Sequence, residues 1–201
     1  MVGKRLVRVA LANGHHVRAF GRNVQKLIDA DLHNDQLDAI HGYVFDAREV
    51  REAIQGADAV ISVLGGSFDG LDKTRSLGIK NIIEQMQQTG VSRIVALGNL
   101  AVLDDGKGNY FVDAADFPPE YLPVGREHLQ AYLFLKTSQL DWTYVCAPDI
   151  HDQDATGQYL TKAELPAKAG KQSITAGDLA DFMLQECLDQ KYMHQRVGIS
   201  N

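Results

Sequence analysis

The chain has 201 residues, 45% of them hydrophobic and 23% charged, with a formal net charge of −6. That length suits a single α/β domain over residues 1–201, with a sizeable core. The interspersed, mildly acidic charge argues against nucleic acid or an anionic membrane surface as a partner. No apolar run approaches the roughly 20 residues that span a bilayer. The opening "MVGKRLVRVALA" has basic residues but neither the apolar core nor the cleavage site of a signal peptide. Cys146 and Cys187 are too few and too isolated for a disulfide framework, and the seven histidines show no HxxxH or HExxH spacing. No metal site is expected, and a reducing cytoplasm is the default compartment.

Val2, Leu6, Val9, Ala10 and Leu11 fall at helical spacing before the stop signal Asn13-Gly14, which predicts a helix over Gly3–Ala12. "HHVRAF" then reads as a short strand, Val17–Phe20. A leading helix followed by a strand is the α-β part of a β-α-β unit without its first β. Further helices are expected at Val24–Ala30, Val50–Gln55, Thr74–Thr89, Arg126–Thr137 and Gly177–Leu188. Further strands are expected at Tyr43–Phe45, Ala59–Leu64, Arg93–Leu97, Thr143–Cys146 and Val197–Ile199. "ADAVISVLG" and "SRIVALG" are nearly continuous apolar runs, as strands covered on both faces require. The alternation predicts an α/β fold, a Rossmann-like doubly wound parallel sheet missing its central first strand. Two long irregular stretches begin after Leu97 and after Pro148. Both follow carboxyl ends of strands, the ligand-binding edge of open α/β sheets.

Several residues at that edge have two readings each. Gly3 is either a small residue that lets helix and strand approach or the last glycine of a dinucleotide fingerprint. Arg22, past the second strand of such a unit, is a solvated loop arginine or a guanidinium fork for a ribose 2′-phosphate. Asp46 either caps an adenine ring or N-caps the helix after it. Leu64, Gly65 and Gly66 end a strand, where glycines allow close approach of a nucleotide or simply form a tight turn. His128 is a proton donor or substrate holder, or else a surface histidine. Tyr132 and Lys136 show YxxxK spacing, but Lys136 lies so near the helix end that it reads better as a cation facing the helix dipole. In "SITAGDLADFML", Thr175 and Asp178 form a capping pattern.

The segments "GRNVQKL", "DAVISVLGG", "RSLGIKNIIEQMQQTGVSRIVALGNLAVLDD", "SQLDWTYVCAPDIHDQDATGQY" and "ITAGDLADFML" occur in this order. Together they resemble the atypical short-chain dehydrogenase group of NAD(P)H-binding proteins. That group includes NmrA-like regulators and the flavin reductase also called biliverdin-IXβ reductase. The resemblance covers nearly the whole chain. It implies NADP(H) as cofactor, with Gly3 closing a GxxGxxG turn and Arg22 on the 2′-phosphate. A serine of the flavin-reductase relatives falls on Asn99 here and a histidine on Asp149, while His128 matches a histidine. Aligned on "SQLD", the tyrosine and lysine of other members fall on Val124 and His128. Tyr132 and Lys136 are therefore out of register, and the tyrosine mechanism does not carry over.

The resemblance implies an oxidoreductase passing hydride from NADPH to a small acceptor such as a flavin or quinone. Asn99 would orient nicotinamide or substrate, and His128 and Asp149 would line the pocket. The alternatives are a non-catalytic NAD(P)-sensing regulator with a protein partner, and an inactive paralogue. The first strand of this fold lies between those at Val17–Phe20 and Ala59–Leu64. Without it two edges stay unpaired, at about 1–3 kcal/mol per unsatisfied buried group, against a typical total stability of about 5–15 kcal/mol. On this reading Met1 falls inside a "GxxGMVG"-like motif. A chain without the strand is expected to have a defective or rearranged sheet and weak cofactor binding.

Overall fold

The computed structural model describes residues 1–24, 34–168, 170 and 172–201. Helix α1 spans Val2–Ala12 and buries Val2, Leu6, Ala10 and Leu11 on one stripe. The Asn13 amide group donates to the Val9 carbonyl at 2.8 Å and closes its last turn. Strand β1 (Val17–Gly21) pairs in parallel with β2 (Leu37–His41), Val17 opposite Leu37. The helix expected at Val24–Ala30 lies, beyond Val24, outside the described residues. Helix α2 (Ala47–Ile54) starts at Asp46, whose carboxylate accepts from the Arg48 and Glu49 amides at 2.9 and 3.0 Å.

Strand β3 (Ala59–Ser62), helix α3 (Thr74–Thr89), strand β4 (Arg93–Asn99), helix α4 (Leu122–Lys136) and strand β5 (Asp141–Ala147) follow in turn. Short strands β6 (Asp149–His151), β7 (Leu160–Ala163) and β8 (Ser173–Thr175) lead into helix α5 (Ala176–Asp189) and strand β9 (Gln195–Ser200). One sheet runs β3-β4-β5-β9-β7, parallel except for β7, which is antiparallel to β9. Alternate residues of β4 face opposite layers. Ile94 and Ala96 join the core with α2, α3 and α4, whereas Val95 joins the core with α1 and α5. This is the doubly wound arrangement. No helix among the described residues is long and apolar enough to cross a membrane.

The described strands form three sheets: β1-β2, the five-stranded one, and β6-β8, whose two strands pair in parallel. Among the described residues β1 pairs with β2 and β3 pairs with β4, and no ladder joins β1 to β3. One strand needs correcting: "YVF" is not extended sheet, and "LDAIH" pairs with β1 instead. The chain turns where the Asp46 amide donates to the Tyr43 carbonyl, which leaves Tyr43 and Phe45 exposed. Strands β6, β7 and β8 were not expected. Strands β6 and β7 lie in the second irregular stretch and β8 directly follows it, where short polar alternation carries little signal.

Candidate functional site at the carboxyl edge of the sheet

Parallel register sets the ends of β3, β4 and β5 side by side. Ser62 stands opposite Ala96, and Asn99 opposite Ala147, just before Pro148 and Asp149. Asn99 is the last residue of β4 and is half-buried. Its side-chain oxygen Oδ1 is buried with no hydrogen-bond partner. A buried acceptor left without a donor is rare in a folded protein, and here it sits on the ligand edge. Asp149 lies two residues beyond Ala147, the β5 partner of Asn99, and is exposed at the start of β6, which pairs with β8.

Leu64, Gly65 and Gly66 lead out of β3. A Cβ on Gly65 would meet nothing within 4 Å, so this backbone has open space beside it. Gly66 is different: a Cβ there would lie 2.6 Å from Asp72 Oδ2 and 3.1 Å from Arg75 Nη1. Arg75, buried on α3, donates to the Gly66 and Ser67 carbonyls at 2.8 and 2.9 Å and stacks on Phe68. Bonds from the Thr74 hydroxyl and amide and from the Ser67 amide hold the Asp72 carboxyl at about 2. Packing around Arg75 accounts for Gly66.

His128 lies one layer behind the edge. Its Nδ1 is 3.2 Å from the Tyr144 hydroxyl, which donates to the His128 carbonyl at 3.0 Å. The hydroxyl has one proton, so Nδ1–H must be the donor to it, which fixes the tautomer. Burial, with the Arg75 charge nearby, pushes the imidazole down to about 3, so the ring is neutral. The Tyr144 ring packs against Gly98, where a Cβ would lie 2.2 Å from Tyr144 Cε1. His128 therefore sits behind Gly98 and Asn99 as a buried support, not on the surface. Next to it, buried Glu127 accepts from Lys73 Nζ at 2.8 Å and Ser76 Oγ at 2.6 Å, tying α4 to the start of α3.

Tyr132 is a core residue, packed edge-on against Trp142 at 5.7 Å. Burial pushes its hydroxyl up to about 12, the reverse of what an acid-base tyrosine needs. Lys136 lies 5.9 Å from the Tyr132 ring in the last turn of α4.

At the other end of the edge, α1 begins with no side-chain cap and no acidic residue in its first turn. This end carries the positive pole of the helix dipole. A Cβ on Gly3 would lie 3.2 Å from Val63 Cγ2, which matches the close-approach reading of that glycine. Arg22, past the end of β1, is exposed and has no hydrogen bond or ion pair to the described residues. Asp46 caps α2, as already described. These features fit a nicotinamide dinucleotide: the positive end of α1 for the diphosphate and a spare acceptor at Asn99.

Sequence reasoning missed Gly98, Tyr144, Arg75 and Glu127, because each acts through a contact distant in sequence. It also missed the strap of residues 152–157. Arg5 of α1 forks onto Asp152 and Asp154, the latter at 3.1 Å. Asp178 accepts from the Thr156 and Gly157 amides at 2.9 and 2.7 Å and from the Thr156 hydroxyl at 2.7 Å.

A family model described as NAD(P)H-binding matches residues 1–191. The Bacillus subtilis protein YwnB is 24% identical over 204 residues, covering 98% of this chain and 92% of its own. A Streptococcus pneumoniae structure, named as a candidate NADH-flavin reductase, is 25% identical with a TM-score of 0.82. It covers 100% of this chain and 94% of that one. A Burkholderia pseudomallei structure, named as a candidate exported protein, is 26% identical with a TM-score of 0.84, covering 100% and 95%. With a doubly wound sheet and a ligand edge of this kind, the chain belongs to the NAD(P)H-binding family and has its Rossmann fold.

Proposed function

We propose that the chain is an NADP(H)-dependent oxidoreductase that passes hydride to a small acceptor such as a flavin or quinone. The observation that carries this is the unpartnered Asn99 Oδ1 at the end of β4. Likeness to a candidate NADH-flavin reductase supports it. When bound, the nicotinamide supplies the hydride. The protein's part is to bind and orient. Arg22 would favour a 2′-phosphate, the α1 amides would face the diphosphate, and Asn99 would accept from an amide or hydroxyl of cofactor or substrate. Asp149, exposed beside it, would meet the acceptor. His128 keeps Tyr144 and Gly98 in place behind Asn99 and stays neutral, so the proton that completes reduction comes from water. Cys146 and Cys187 are free, buried thiols, in keeping with a reducing cytoplasm.

The test is calorimetric titration with NADPH and NADH, followed by NADPH oxidation with flavin mononucleotide or menadione. Both use the chain alone and the chain with an apolar strand fused ahead of Met1. NADPH should bind more tightly than NADH, and Arg22→Glu should remove that preference. Asn99→Ala should lower kcat/KM about tenfold with an unchanged Tm, because the lost acceptor has no partner within the protein. Oxidation at the background rate by both forms would overturn the proposal. Tight binding of oxidised and reduced cofactor without turnover would favour the regulator with a protein partner. The neutral, buried His128 is the observation on that side.

A further inference from the structure

The loop between β3 and α3, residues 63–73, is held firmly although much of it faces water. The Asp69 carboxylate accepts from the Ser67 hydroxyl at 2.6 Å and the Leu71 amide at 2.9 Å, and these donors keep it below the usual carboxylate range. Asp72 accepts from the Ser67 and Thr74 amides at 3.0 and 2.8 Å. The buried Arg75 guanidinium, forked onto the Gly66 and Ser67 carbonyls, lies 5.5 Å from the centroid of the Phe68 ring. The loop nevertheless leaves Phe68 61% exposed and Leu71 84% exposed. A phenylalanine ring is thus fixed by a cation on one side and open to water on the rest.

This loop stands on the ligand edge. It leaves β3 just beyond Ser62, which pairs with Ala96 of β4, and β4 runs on to Asn99. At its far side the loop meets α4: a Cβ on Gly70 would lie 2.7 Å from Pro123 Cβ. Tyr121 and Leu122, just before Pro123, are exposed as well. Just after it, a Cβ on Gly125 would lie 3.2 Å from the Cβ of Ala101, in the segment that leaves Asn99. The first turn of α4 therefore joins the Phe68 loop to the exit from β4. Exposed apolar side chains gathered at such an edge mark a binding surface.

We propose that Phe68, held by Arg75, is the stacking face for the flat aromatic ring of the electron acceptor, with Leu71 as a neighbouring apolar contact. The proposal rests on the reductase reading above and selects within it a fused-ring acceptor, such as a flavin or a naphthoquinone. Flatness follows from the ring, since offset-stacked aromatic faces attract beyond the area they bury. Low polarity follows from the loop, because Arg75, Asp69 and Asp72 direct their hydrogen bonds inward onto its own backbone and hydroxyl groups. What Phe68 and Leu71 offer a ligand is hydrocarbon. The ring is also ordered in advance, so stacking on it costs little further side-chain entropy. Arg75 acts through Phe68 and is a positioning residue.

The test pairs binding with turnover. Lumiflavin binding is followed by fluorescence anisotropy, with and without NADP⁺, and NADPH oxidation is followed with menadione. Phe68→Ala should weaken lumiflavin binding and raise the menadione KM about tenfold each, with kcat, Tm and NADPH affinity unchanged. Phe68→Tyr should keep both near the parent values, and Phe68→Leu, apolar but without a flat face, should not. Lumiflavin binding that is lost in Phe68→Ala, in a chain that does not oxidise NADPH, supports the stacking face and overturns only the reductase reading. Turnover with KM and lumiflavin affinity unmoved by Phe68→Ala overturns the stacking face and leaves that reading standing. A parent chain that binds no lumiflavin in either condition also overturns the stacking face. Two further outcomes overturn it by naming another occupant. One is an equal loss of NADPH affinity in Phe68→Ala, which would place the cofactor on the ring. The other is a sedimenting dimer that Phe68→Ala dissociates, which would place a second copy there.

Discussion

Gly98 is where the ligand edge meets the buried layer behind it. Because it has no Cβ, the Tyr144 ring can lie against β4, and the Tyr144 hydroxyl can then engage His128. The neutral state of His128 has a pH signature. Its folded pKa, about 3, lies below the ordinary 6.5, so only the unfolded chain takes up this proton in between. The contribution of His128 is complete above pH 6.5 and is lost as the pH falls toward 3, at about 1.4 kcal/mol per pH unit. Chemical denaturation at pH 7.5 and 5.5 should show His128→Gln losing about 1.4 kcal/mol less than the parent across this interval. At this scale the sequence was partly legible. Asn99 and Asp149 could be named only because the family resemblance sets a serine and a histidine of its members on these positions. The depth of His128 could not, because it depends on which face of α4 meets β5. Asp46 had two readings until the amides of α2 were in place.

Secondary-structure elements read well wherever they fill a core. Thr74–Thr89 matched its expected bounds, and the expected helices near α4 and α5 and strands near β4 and β5 differ only at their ends. The second irregular stretch was harder to read because side chains, more than apolar pattern, organise it. Asp178 is the centre of that organisation, gathering Thr156, Gly157, Thr175 and the Asn201 amide group. Burial works against its charge, but these donors outweigh it and hold the carboxyl below the usual range. Asp178→Asn replaces one acceptor oxygen with a donor among donors. It should cost about 2–3 kcal/mol and free the strap. Chemical denaturation reads the first effect, and faster proteolytic cleavage within residues 152–157 reads the second. Gly177 sets the same contact by shape, since a Cβ there would lie 2.0 Å from the Ala155 nitrogen.

For the molecule as a whole, the alternation of strands and helices was legible: it implied a doubly wound sheet, and among the described residues β1–β2 and β3-β4-β5-β9-β7 form as separate sheets. The pairing of β7 with β9 could not be foreseen, because edge strands need little apolar pattern. Across the division the two pieces share a core on each face, and on one of them Leu6 of α1 sits beside β1 and β3. Leu6→Ala should cost about 2–5 kcal/mol. It should also uncouple the pieces, with β1 and β2 amides exchanging faster than those of β4 and β5 in the same sample. Trp142, the chain's single tryptophan, sits on β5 against Tyr132. Its emission therefore witnesses only the five-stranded piece. The β1–β2 ribbon is dark in a fluorescence melt but contributes to far-ultraviolet ellipticity, so the gap between the two melting curves measures how independently the ribbon comes apart.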